Sequence, residues 1–287
     1  MDYLEIADRE KLSVDIETNG TLLDEIHIGK LKNINQLFVA VSLDGATSQA
    51  HDKFRGVKGA YDRTIATLEL LTRFEIRVQI IMSLHRENVN TLDDVLRLAG
   101  DLGVRSVKIN PVQPSGRGRD LARQGDSLPV AELFQVAEYC RKKLSPDFEG
   151  ELFFSLPMAF QPFTEIQNQQ LSVCRIFQIL GLMPNGDLSF CGIGNLARSM
   201  VIGNIYKDRL ADLWQKAPLL TELRENLPQE LKGVCSRCIL KASCLGECRA
   251  MAYELTGDLM GTYWICQQAY EAGLFPESRL TPAPVGV

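Results

Sequence analysis

Seven of the eight cysteines in this 287-residue chain lie from Cys174 onward, at spacings that could do chemistry. Cys174 is followed after 11 residues by Gly186, and Gly186 after 4 by Cys191. Then comes Cys235-x2-Cys238-x5-Cys244-x3-Cys248 and, 17 residues later, Cys266. A Cys-x2-Cys pair on a tight turn aims two thiolates at one centre, and a soft thiolate set suits zinc or an iron–sulfur cluster. Three features favour iron–sulfur. Seven thiols do not divide into tetrahedral fours; the histidines, zinc's usual partners, are His27, His51 and His85, all far upstream; and the dense run from Cys235 to Cys248 resembles cluster-binding loops more than ribbon-type zinc sites. Zinc is the bland alternative. Disulfides are weaker still, because nothing in the chain signals export and its thiols should stay reduced. The eighth cysteine, Cys140, sits in an amphipathic helical stretch and reads as a buried free thiol. Tyr263 and Trp264, just before Cys266, read as ordinary core that could also screen a metal site from water.

Composition narrows the partners. Hydrophobic residues make up 45% and charged residues 23%, ordinary for a globular protein of this length. A net charge of −5 argues against nucleic acid, whose phosphates need a basic surface. The first residues, MDYLEIADREK, contain no apolar stretch of the signal-peptide kind, and no apolar run approaches the ~20 residues that span a bilayer. A cytoplasmic location with no membrane contact is therefore expected.

The elements that must position the cysteines fall into two styles. Apolar, β-rich runs occupy 12–17, 36–43, 76–83, 104–110 and 151–155, the first four clear and the last plausible. Between them, helical periodicity covers 61–74, 91–103 and 129–143, with Thr91 a suitable N-cap and Gly103 a suitable C′ residue. The chain opens in a further helical stretch. Alternation of this kind implies βαβ units and an α/β fold with a parallel sheet. The segment 111–120, PVQPSGRGRD, interrupts the pattern with Pro and Gly. From Leu171 the rhythm becomes short apolar pieces, turns and cysteines. The expected domains are thus 1–160 and 161–275, with a disordered Pro-rich tail over 276–287. In a closed barrel the first strand would leave an unpaired edge, so upstream units are expected.

All seven cysteine positions resemble the SPASM domain, the C-terminal extension of many radical SAM enzymes that modify peptides. The resemblance implies two auxiliary [4Fe–4S] clusters, the first held by Cys174, Cys191 and Cys248 and the second by Cys235, Cys238, Cys244 and Cys266. Some relatives carry another cysteine just before the first; Gln167, Asn168 and Gln169 stand there, which implies an open iron or a non-Cys ligand in the first cluster. The upstream half resembles a radical SAM barrel, about the last four units of a (β/α)6 fold. Thr18-Asn19-Gly20 matches the turn after its third strand, and Ser42 and Asp44 the end of its fourth. The resemblance places these five residues near S-adenosylmethionine (SAM). Arg55 reads as either a carboxylate contact or a solvated loop charge, with the solvated reading favoured.

The barrel's Cys-x3-Cys-x2-Cys motif, which binds the SAM-cleaving cluster, is not among these residues, since no cysteine precedes Cys140. About two of six units are therefore expected to be lacking, and the chain as written is expected to be inactive in SAM cleavage. The family's activity is peptide maturation through a 5′-deoxyadenosyl radical, and the nearest character is that of maturases of the SynChlorMet-cassette type. A precursor peptide is the implied substrate and a ferredoxin or flavodoxin the implied electron donor. No catalytic residue is singled out. The rival is a non-catalytic cluster- or zinc-binding module that recognises a peptide or carries electrons.

Overall fold

The structure, a computed structural model, describes residues 2–168, 174–193 and 198–282. The chain divides into two compact units, 1–114 with 118–155 and 115–117 with 156–287.

The first unit is built on five strands, β1 (Val14–Thr18), β2 (Leu37–Ser42), β3 (Val78–Leu84), β4 (Ser106–Pro111) and β5 (Glu151–Phe154), all parallel and in sequential order. The apolar runs become strands because β-branched and aromatic side chains pack well on a pleated surface. Val39, Val41, Ile80, Met82, Val107 and Ile109 are at most 1% exposed and form the centre of the core. The register sets Thr18 opposite Val41, Ser42 opposite Ile81 and Leu84 opposite Pro111, so the C-terminal ends of β1 to β4 line one edge. Ligand sites of parallel sheets form at that edge.

Helices α1 (Asp2–Arg9), α2 (Glu25–Leu31), α3 (Ser48–Arg55), α4 (Ala60–Arg73), α5 (Leu92–Asp101), α6 (Gly118–Arg123), α7 (Val130–Tyr139) and the single turn α8 (Ser145–Asp147) complete the unit. Helix α4 packs on β2 and β3 and buries Thr64, Thr67, Leu68 and Leu71. Two details differ from expectation. Thr91 stands at the N-cap position of α5 but forms no side-chain cap bond; its hydroxyl donates to the Asn88 carbonyl at 2.8 Å, because Val89–Thr91 form a 3-10 turn. The helix expected over 129–143 changes pitch at Cys140, where Cys140–Leu144 form a π turn. Gly103 does end α5 in the left-handed region, at φ +72°.

The second unit has little regular structure. Strands β6 (Gly181–Leu182), β7 (Asp187–Ser189) and β8 (Val201–Asn204) form a small antiparallel sheet with a bulge at Leu188/Ser189. Helices α9 (Phe163–Gln167), α10 (Leu210–Lys216), α11 (Pro218–Asn226), α12 (Val234–Arg237), α13 (Lys241–Cys244), α14 (Arg249–Thr256) and α15 (Trp264–Glu271) surround it. Ile176, Phe190, Met200, Leu220, Leu223, Leu231 and Met260 share one core with Cys191 and Cys235. Of the tail expected over 276–287, residues 276–282 are described. Leu280 bridges to Cys238, the Thr281 amide donates to the Arg237 carbonyl at 2.8 Å, and Arg279 is buried over the Phe163 ring. Among the described residues no helix is long and apolar enough to cross a membrane.

Candidate metal centre

Four thiols of the second unit line one cavity. Cys235 lies on α12, Cys238 caps its C-terminus, Cys244 closes α13 and Cys266 sits in the first turns of α15. The cavity is small, about 20 Å³, and the four line it together with Pro157, Ala159, Val234, Leu240 and Phe275. The turn that presents Cys235 starts at Gly233, whose φ of +57° suits glycine and whose missing Cβ would meet the Thr262 hydroxyl at 2.2 Å. Cys235 and Cys266 are hydrogen-bonded to each other, and that bond holds the Cys235 thiol below its ordinary value. The same bond, and then burial, push Cys266 well above it.

The other three form a second group. Cys174 is pushed up to about 11 by burial, and next by the charges of Cys248 and Cys191. Cys191 is buried and Cys248 packs on the same core. The Cys248 sulfur caps α14 by accepting from the Met251 amide at 3.4 Å. Cys235, Cys238, Cys244 and Cys266 thus share one cavity, while Cys174, Cys191 and Cys248 pack on one core that Cys235 also joins. Of the residues expected near an open iron, Gln169 lies outside the described residues.

Burial raises Cys174, Cys238, Cys244 and Cys248, so in an empty pocket these groups are neutral thiols. A thiolate in apolar surroundings needs a compensating positive charge, and a metal supplies it by displacing the proton. Buried cysteines can be mere small hydrophobes, but hydrophobes close their core rather than line a cavity. The donor set therefore fits a thiolate-ligated cluster. Among the described residues no three His, Cys, Asp or Glu side chains converge as one bare ion requires. Cys140 belongs to neither group: it is a buried free thiol pushed up to about 12 by burial, hence inert.

In the first unit, Thr18, Asn19, Gly20, Ser42 and Asp44 all lie at the C-terminal edge of β1 and β2. The Asn19 side chain accepts from the Thr21 amide and hydroxyl, both at 3.0 Å, and the Thr18 hydroxyl from the Gly20 amide at 3.1 Å. Gly20 has φ +75° and sits where a Cβ would meet Val41 at 3.1 Å. Two buried hydroxyls on α4 fasten this turn: Thr64 donates to the Asn19 carbonyl at 2.9 Å and Thr67 to that of Gly20 at 2.5 Å. Sequence reading missed both; the signal was two polar residues among the apolar positions of an amphipathic helix.

Asp44 is 1% exposed. Its Oδ1 accepts from the Ser83 amide at 2.8 Å and its Oδ2 from Arg55 Nε at 2.6 Å. Arg55 is therefore not a solvated loop charge: it is the partner of a buried carboxylate. His51 accepts from the Asp44 amide at 3.1 Å through Nδ1, and Asn88 donates to the Asp44 carbonyl at 3.0 Å. A nucleoside contact through the Asp44 carboxylate would share or displace one of these partners.

The comparisons with known proteins agree with this geometry. Residues 1–99 match the radical SAM superfamily and residues 174–239 an iron–sulfur cluster-binding domain, SPASM. Mycofactocin maturase MftC of Mycobacterium ulcerans is 30% identical over 294 residues, covering 99% of this chain and 76% of that protein. The chain belongs to the radical SAM/SPASM family. The AdoMet-dependent heme synthase of Methanosarcina barkeri is 28% identical over 265 residues, covering 87% of this chain and 72% of that protein. Among solved structures, SuiB of Streptococcus suis bound to the precursor peptide SuiA superposes with a TM-score of 0.72 at 16% identity, a likeness of fold. That match covers 93% of this chain and 61% of the SuiB chain, so this chain spans less than two thirds of that structure. Iron–sulfur clusters and SAM are the cofactors that the two matched domains of this family imply.

Proposed function

We propose that this chain belongs to a peptide maturase in which the second unit holds two auxiliary [4Fe–4S] clusters and the first unit holds part of the SAM site. The observation that carries the reading is the cavity lined by Cys235, Cys238, Cys244 and Cys266 in a chain of this family. Cys174, Cys191 and Cys248 would hold the other cluster with one iron left for a non-cysteine ligand. Thr18, Asn19, Gly20, Ser42 and Asp44 would border SAM. In such enzymes the bound cofactors supply a 5′-deoxyadenosyl radical and a path for the substrate's electron. This chain's own share is to exclude water from seven thiolates and, through Thr64 and Thr67, to hold the Asn19–Gly20 turn still. A precursor peptide is the substrate in this reading, supported by the maturase name of the Mycobacterium ulcerans relative and the SuiA peptide bound to SuiB. A ferredoxin or flavodoxin would deliver electrons. The heme synthase relative supports a second substrate class, a tetrapyrrole.

Anaerobic reconstitution with iron and sulfide tests the centre: about eight irons per chain with [4Fe–4S] Mössbauer parameters are expected. Stoichiometric tight zinc with no cluster would sink it. Titration of the reconstituted chain with the peptide encoded beside its gene, and separately with a porphyrin, decides between the substrate classes.

A further inference from the structure

Arg249 heads the largest fully buried side chains, at 1% exposure, and it directly follows Cys248. Its Nη1 donates to the carbonyls of Leu259 at 2.9 Å and Gly261 at 2.8 Å, and its Nη2 to that of Gly246, while Nε has no partner. Three neutral carbonyls orient a guanidinium but do not balance its charge, and burying a cation without a counter-charge costs several kcal/mol. No ion pair to it is formed among the described residues. Gly246, whose carbonyl accepts from Nη2, lines the cavity of Cys235, Cys238, Cys244 and Cys266, and Cys248 of the other set directly precedes Arg249 in the chain.

The pocket is shaped for this group. A Cβ on Gly246 would stand 2.5 Å from Nη2 and 2.7 Å from Cζ, and Gly246 has φ +73°, so the turn between Cys244 and Cys248 leaves room only by lacking a side chain. A methionine would fill the same volume without the cost of burying a charge but would leave three carbonyls unpaired, so packing alone does not explain an arginine here.

We propose that Arg249 is the counter-charge common to both cysteine sets, and that its fixed positive charge raises the reduction potentials of the clusters they hold. The inference rests on the two-cluster reading above. A thiolate-ligated cluster gains one negative charge when an electron enters, and net charge nearby is one of the terms that sets its potential. A permanent cation held beside Cys248 and the cavity-lining Gly246 favours that electron without a proton having to follow it.

The test compares the reconstituted full chain with Arg249→Lys, which keeps the charge, and Arg249→Gln, which keeps a donor but loses it. Potentials are read by EPR during a mediated redox titration. Arg249→Lys should stay within a few-fold of the parent in electron affinity. Arg249→Gln should fall about tenfold, ~59 mV for one electron. Loss of iron from Arg249→Gln but not from Arg249→Lys would also support the counter-charge. Equal potentials in the two variants, or equal failure of both to take up iron, would overturn it. A parent chain that takes up no cluster would instead overturn the two-cluster reading itself.

Discussion

The α/β unit fills the centre of its sheet with carbon. Strands of 4 to 7 residues bring Val39, Val41, Ile80, Met82 and Ile109 into continuous contact, and α4 and α5 bury Leu68, Leu71, Val95 and Ala99. The cysteine unit has strands of 2 to 4 residues, and α12 and α13 are single turns of 4. At the corresponding depth it places thiols around a cavity and a guanidinium bonded to three backbone carbonyls. One unit stores its stability in apolar burial, which any folded chain retains. The other leaves its centre to be closed by a ligand, since elements so short bury little on their own.

That contrast breaks most visibly if iron is removed. Binding to structural thiolate sites is worth on the order of 10 kcal/mol in small zinc peptides, so the iron-free chain should lose protection in the cysteine unit first. Hydrogen exchange read by mass spectrometry should show 174–275 exchanging fast while 37–111 stays protected; equal protection of both regions would end the distinction. Next in size, Ile80→Ala should cost about 2–5 kcal/mol by leaving a cavity in the sheet, with iron content unchanged. Denaturant midpoints and iron analysis on the same sample check both halves of that statement. Asp44→Asn should cost roughly 2–3 kcal/mol, less than the 3–5 kcal/mol of a fully enclosed pair, because Arg55 is 24% exposed and can find water. The expected readout is again the midpoint, with the cysteine unit's spectrum unaltered.

The smallest effect is pH dependence confined to the α/β unit. Burial holds the imidazoles of His51 and His85 below their ordinary value of 6.5, so they are neutral when folded and take up protons more readily when unfolded. Their contribution is fully present above about pH 6.5 and is lost as pH falls through the folded-state values. Stability measured at pH 8 and pH 5.5 should differ in that direction, and His51→Gln should flatten the difference.

Much of the sheet was legible because parallel strands buried on both faces read as unbroken apolar runs; the observed ends of β2 and β3 lie within two residues of those expected. The cysteine spacing was equally legible, since ligands repeat at fixed intervals. What lay hidden depends on partners distant in sequence. Arg55 looks like any loop charge until β3 delivers the Ser83 amide and Asp44 turns inward. Thr64 and Thr67 look like weak helix residues until the Asn19–Gly20 turn meets them. Arg249 reads as one more surface arginine, and only the glycine turn before it and the carbonyls of Leu259 and Gly261 show it to be interior.

Gly181, in the short strand β6, touches no candidate ligand atom, yet a Cβ there would stand 2.3 Å from the Cys191 carbonyl oxygen and 2.6 Å from its carbon. Backbone cannot swing aside as a side chain does, so even one added methyl must push Cys191 itself. In a colour screen of colonies carrying random substitutions, where cluster-bearing protein is brown, position 181 should therefore bleach alongside the cysteines, with Gly181→Ala already pale. A glycine can be as much a part of a metal site as the sulfur it makes room for.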